Sequence, residues 1–117
     1  MKRVVLTISI AVAVGAVVSL GVRAADPTPM QQGHAVFNKW CAPCHSNAPG
    51  NPGTAALEAL YQGTKPAALE ERTDLTPETV KQFVRNGVSI MPFFRKTEIS
   101  DAELDALAAY LARNLPQ

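Results

Sequence analysis

The stretch Cys41-Ala42-Pro43-Cys44-His45 holds both cysteines of the chain and sets a histidine directly after the second. Two intervening residues let one turn of backbone present both sulfurs to one edge of a porphyrin. The next residue can then turn its imidazole beneath the ring. Each thiol can add across a haem vinyl group, with His45 as the proximal iron ligand. The motif therefore points to one covalently bound haem c held by Cys41, Cys44 and His45. Three rivals fit less well. A plain disulfide suits two cysteines in an oxidising compartment. A thioredoxin-like redox pair needs a strand before the motif and a βαβ pattern around it, and neither is legible here. A zinc site built with His34 and His45 has Cys44 and His45 as immediate neighbours, which matches no zinc spacing.

The chain has 117 residues, enough for one small domain. Its beginning reads differently from the rest. Lys2 and Arg3 precede a nearly unbroken apolar run from Val4 to Val22, and Val22-Arg23-Ala24 supplies small residues at a cleavage spacing. This is the anatomy of a secretory signal peptide over residues 1–24, leaving a domain over 25–117. A retained membrane anchor is the alternative, because the run approaches the roughly 20 residues that span a bilayer. Thr7, Ser9, Gly15 and Ser19 dilute it. Export implies a periplasmic location, with no membrane attachment after cleavage. Removing Lys2, Arg3 and Arg23 leaves eight basic against ten acidic residues, a net charge of −2 instead of +1. A mildly acidic small domain has no electrostatic reason to bind nucleic acid or anionic lipid.

Beyond the leader, Ala25 to Met30 contains Pro27 and Pro29 and reads as an extended lead-in. A first helix is expected over about Gln31–Lys39, with Gly33 an expensive residue inside it. Ser46 to Gly53 is turn vocabulary throughout. That loop is expected either to serve as a plain connector or to pass the haem edge, with the Pro52 carbonyl as candidate acceptor for the free nitrogen of His45. Thr54 is expected to cap a short helix carrying Leu57, Leu60 and Tyr61 on one face and ending at Gly63. Pro66 opens another brief turn through Glu71. Thr76-Pro77 starts a helix to about Asn86 that buries Val80, Phe83 and Val84 and stops at Gly87. Ser100-Asp101-Ala102-Glu103 is a capping box, followed by the apolar stripe Leu104, Leu107, Ala108 and Leu111. No segment alternates with period two, so the fold class is all-α. Short helices joined by proline- and glycine-rich loops bury little area, and a porphyrin would complete the core.

The second iron ligand is legible by position. Met91 stands 46 residues after His45, between two helices and directly before Pro92, which stiffens the loop. A thioether there gives a high-potential electron carrier, whereas an open site gives ligand binding or peroxide chemistry. Met91 as a core gap-filler is the bland alternative. Met30 lies in the lead-in, and His34 lies seven residues before Cys41 on the first helix. Phe93 and Phe94 either form an apolar docking patch or pack over the haem. Arg72, Arg85, Arg95 and Lys96 could pair with haem propionates or with an acidic partner, with solvated surface charge the default for each.

Gly33 and Phe37 on a first helix, C-x-x-C-H, Met91-Pro92 and Tyr110 on a last helix resemble a bacterial class I cytochrome c. The likeness covers about residues 31–113. It implies a small fold of short helices wrapped around one haem, with the first and last helices crossing at Gly33. More narrowly, Val84 to Gly87, Met91 to Phe94 and Asp105 to Leu111 resemble the cytochrome subunits of p-cresol methylhydroxylase and eugenol hydroxylase type flavocytochromes, which act on 4-alkylphenols. This chain carries extra residues around Asn51 to Glu71. The resemblance implies an electron-transfer subunit that is not itself an enzyme. It would accept single electrons from an FAD-containing flavoprotein dehydrogenase subunit and pass them to a periplasmic copper protein or another cytochrome. A freely diffusing carrier, and an open-site haem enzyme or sensor, are the alternatives.

Overall fold

The computed structural model describes residues 25–116, so the leader expected over 1–24 lies outside the described residues. Five helices follow in order: α1 (Pro29–Trp40), α2 (Ala42–His45), α3 (Pro52–Tyr61), α4 (Pro77–Asn86) and α5 (Asp101–Leu111). Short 3-10 turns occupy Leu69–Glu71 and Ala112–Asn114. Among the described residues there is no strand; a lone bridge pairs Val88 with Met91. The all-α expectation holds, and the strand that a thioredoxin-like pair requires is absent there.

Helix α1 starts earlier than its prolines suggest. Pro29 sits at the first helical position, where its missing N–H would have gone unpaired anyway. Thr28 and Gln31 exchange bonds across the start. The Thr28 amide donates to Gln31 Oε1 at 2.9 Å, and the Gln31 amide donates to Thr28 Oγ1 at 3.3 Å. Met30 thus belongs to the first turn of α1 and not to an extended lead-in.

Helices α1 and α5 make the most extensive packing in the fold, and Gly33 is the reason they can. A Cβ built on Gly33 would stand 2.7 Å from Tyr110 Cβ and closer still to the Ala106 carbonyl oxygen. Only a residue without a side chain lets the two backbones approach this closely. Around the crossing, Phe37, Leu107 and Ile99 are fully buried. Trp40 meets Phe94 edge-on, with ring centroids 5.7 Å apart.

Both later helices begin as their sequences indicate. The Thr79 amide donates to Thr76 Oγ1 at the start of α4. The Ser100 and Glu103 amides exchange bonds with each other's side chains at the start of α5. Helix α4 buries Val80 and Val84. Phe83, expected beside them, is 41% exposed and lines a cleft.

Helix α3 departs from expectation at its start. It begins at Pro52, and Asn51 stands at the cap position without making a side-chain cap bond. Asn51 Nδ2 instead donates to the carbonyls of Ala42 and Ser46, both at 3.1 Å. Thr54 lies inside the first turn, buried, with its hydroxyl donating to the Ser46 carbonyl at 2.9 Å. These two side chains therefore tie α3 to the cysteine-containing turn. The helix ends at Gln62, which adopts the left-handed conformation (φ 47°) one residue before Gly63.

Candidate functional site

Cys41 leaves the end of α1 and opens the single turn of α2. The amides of Cys44 and His45 both donate to its carbonyl, at 3.0 and 2.8 Å. Cys41 is buried and Cys44 exposed, and both are free thiols. Burial, reinforced by the neighbouring Cys44, pushes the Cys41 thiol up to about 12. Among the described residues no group of three or more histidine, cysteine or acidic side chains is placed to hold a metal ion.

The His45 ring packs against Gly53 in the first turn of α3. A Cβ added at Gly53 would stand 2.6 Å from His45 Cε1 and 2.8 Å from Nδ1. Nδ1 is buried without a hydrogen-bond partner. The Pro52 carbonyl is therefore not its acceptor. Pro52 is the first residue of α3, so its carbonyl points along the helix axis towards the amide four residues on. Burial lowers the His45 pKa below the ordinary imidazole value. The neutral ring is the form that ligates a metal.

Replacing Gly53 by alanine separates packing from propensity. In an open helix the change would stabilise by about 0.5–1 kcal/mol. Here the imidazole and the Cys44 carbonyl occupy the space. We expect a net loss of about 1–3 kcal/mol, the usual range for overpacking, read as a lower thermal midpoint. A more stable variant would show that the contact gives way easily.

Met91 is positioned by the chain just after α4. Gly87 turns the backbone at φ 68°, and a Cβ there would stand 2.7 Å from the Met91 carbonyl oxygen. Val88 and Met91 then exchange both backbone bonds, at 3.1 and 2.9 Å, around a two-residue turn of Ser89 and Ile90. The Phe94 amide returns to the Val84 carbonyl at 2.7 Å. Arg85 clamps the same segment by donating to the Phe94 carbonyl and to Asp101, both at 3.0 Å. Lys96 shares Asp101, and Arg95 pairs with Glu98.

Cys41, His45 and Met91 line one cleft of about 260 Å³, although the histidine and methionine are far apart in sequence. Leu57, Leu60 and Tyr61 of α3, Phe83 of α4 and Leu107 and Leu111 of α5 complete a largely apolar lining. Cys44 is not part of that lining. Neither are Met30 and His34: Met30 is exposed on α1, while His34 bonds Asn38 and lies 5.2 Å from the Tyr110 ring. A hydrophobic slot offering one imidazole, one thioether and a thiol at its edge suits the donor preferences and the flat apolar faces of haem.

Arg72 departs from its default reading as surface charge. It is buried, not solvated, and lines the cleft. Asp74, its carboxylate partner, stands only two residues on, whereas Tyr61 is brought to it from the end of α3. Phe93 and Phe94 divide the two roles open to them. Phe94 packs on Trp40, while Phe93 is 60% exposed. Among the described residues no helix is long and apolar enough to cross a membrane.

Residues 28–111 match the family model described as cytochrome c oxidase, cbb3-type, subunit III. No curated protein sequence matches the chain. Among solved structures the chain is similar to OmcF, outer membrane cytochrome F from Geobacter sulfurreducens. The identity is 22% and the TM-score 0.46, over 72% of this chain and 99% of that one.

Proposed function

Because the chain belongs to the family of cytochrome c oxidase, cbb3-type, subunit III, a family of cytochrome c domains carrying covalent haem c, we propose that it is a periplasmic single-electron carrier working as the haem subunit of a flavocytochrome. Cys41 and Cys44 would hold the haem through thioethers, and His45 and Met91 would be its axial ligands. The observation that carries this reading is the convergence of His45 and Met91 on one apolar cleft. The bound iron supplies Fe(III)/Fe(II) cycling. The protein's part is to keep the imidazole neutral, hold the thioether on a braced turn and surround both with hydrocarbon. No side chain is asked to act as an acid, base or nucleophile.

The donor would be an FAD-containing dehydrogenase subunit of the kind that oxidises 4-alkylphenols, and the acceptor a periplasmic copper protein or another cytochrome. The resemblance of Val84–Gly87, Met91–Phe94 and Asp105–Leu111 to such cytochrome subunits supports this. So does exposed apolar surface beside the Met91 turn, where Ile90 is 85% and Phe93 60% exposed. Isolated surface apolar residues are ordinary, but a group of them beside the cleft is the mark of a contact face. The leader over 1–24 would direct export and be removed.

Purification from the native host tests the reading. Flavin and haem absorbance should elute together at a mass well above that of the 12.5 kDa chain. Haem protein eluting alone at monomer size would favour the freely diffusing carrier. Carbon monoxide binding to the reduced protein at neutral pH would favour an open distal site.

A further inference from the structure

The segment between α4 and α5 runs from Gly87 to Ser100 without a helix, longer than the usual helix-to-helix connection of about 2–8 residues. Met91 lies in its first half. Among the described residues, the backbone bonds made between Gly87 and Phe94 are those that Val88 and Met91 exchange with each other. The turn that carries the thioether is thus bonded to itself, and its hold on the fold depends on its two ends. One end is Gly87, whose amide donates to the Phe83 carbonyl at 2.8 Å. The other is Phe94.

Phe94 is held in three ways. Its amide donates to the Val84 carbonyl at 2.7 Å, its ring packs on Trp40, and its carbonyl accepts from Arg85 Nη1 at 3.0 Å. Arg85 is itself fixed, because Nη2 donates at 3.0 Å to Asp101, the first residue of α5. Its side chain is only 22% exposed. One guanidinium therefore joins the end of α4, the return of the Met91 segment and the start of α5. A rigid planar fork can serve two acceptors at once in set directions, which a lysine ammonium on a flexible stem does poorly. Lys96 also meets Asp101, at 2.7 Å, but these side chains are 73% and 62% exposed, and exposed pairs contribute little.

We propose that Arg85, braced by Asp101, is a positioning residue that latches the Met91 segment through the Phe94 carbonyl and so sets how readily an outside ligand can take the place of the thioether. This rests on Met91 being the axial ligand. The reasoning is one of populations. An outside ligand can bind only while the Met91 turn is swung away, so its apparent affinity falls with the fraction of molecules in that open form. Each bond that must break on opening makes the fraction smaller. The bond from Arg85 to Phe94 is such a bond, and its donor is charged, which places it among the stronger hydrogen bonds. The latch thus keeps the protein an electron carrier closed to small ligands.

Imidazole titration of the ferric holoprotein, followed by loss of the methionine-to-iron charge-transfer band, tests the latch. Arg85→Leu is expected to bind imidazole about tenfold more tightly than wild type, the effect of losing one hydrogen bond from a charged donor. Arg85→Lys, which keeps the charge and loses the fork, should fall between the two. Lys96→Met should bind imidazole as wild type does. On heating, Arg85→Leu should lose the charge-transfer band well before its far-ultraviolet dichroism, whereas a purely structural role would move both together. Imidazole affinity unchanged in Arg85→Leu, or raised equally in Lys96→Met, would overturn the proposal. Should Arg85→Leu not accumulate, Arg85→Lys decides alone: tighter imidazole binding supports the latch and unchanged binding overturns it. The presence of the charge-transfer band in the wild-type protein reports separately on Met91, so failure of the axial assignment cannot be mistaken for failure at Arg85.

Discussion

Gly33→Ala is expected to destabilise the holoprotein by about 3 kcal/mol or more, at the upper end of the range for overpacked cores. In a domain of this size that lowers the thermal midpoint by roughly 12–24 °C. The estimate rests on what a methyl group would meet. Its neighbours are the backbone carbonyl of Ala106 and the Cβ of Tyr110, with no flexible side-chain tip to swing aside. Relief requires the two helices to move apart along the whole crossing, which would loosen the contacts of Phe37 and Leu107 with their neighbours. Helix propensity acts the other way, favouring alanine by about 1 kcal/mol, and is too small to compensate. Thermal unfolding followed at the haem absorbance and by far-ultraviolet dichroism checks this. An unchanged midpoint would mean that α1 and α5 do not meet at Gly33.

Met91→Ala should lower the reduction potential by more than about 59 mV, a shift above tenfold in the one-electron equilibrium, because thioether ligation favours ferrous iron. It should also let the reduced protein bind carbon monoxide. The structure narrows the alternatives for the lost ligand. Met30 is on the exposed side of α1, and His34 is engaged with Asn38 and lies beside Tyr110. Neither can reach the cleft without unwinding α1. A variant with wild-type potential and spectrum would therefore remove Met91 from the iron altogether. Its effect on folding should be modest, since the Val88–Met91 bonds are made by backbone atoms that alanine retains.

The parts of this fold that could be read from residues are those governed by local chemistry. Thr76-Pro77 and Ser100 to Glu103 declare helix starts because the capping atoms belong to the same few residues that form the turn. Gly33 was readable as a contact point because its cost inside a helix demands a compensating approach. Pro29 misled because the same ring that breaks a helix interior is welcome at its first position. Thr54 misled because its side chain serves the turn that holds the cysteines and not the start of its own helix. The unpartnered Nδ1 of His45 and the burial of Arg72 were not legible at all. Both depend on where α3 comes to rest, and that is decided by packing across the cleft. Cys41, His45 and Met91 were identified by residue type and spacing; only the folded chain brings them to one place.

The two-residue turn at Ser89 and Ile90 also sets a rule for length. A chain reversal this tight has a fixed register, and a single inserted residue would swing the Met91 side chain to the opposite face. Deletions and insertions between Gly87 and Pro92 should therefore be as damaging as losing the sulfur itself. The stretch from Asn47 to Gly50, exposed throughout, should accept them with little consequence.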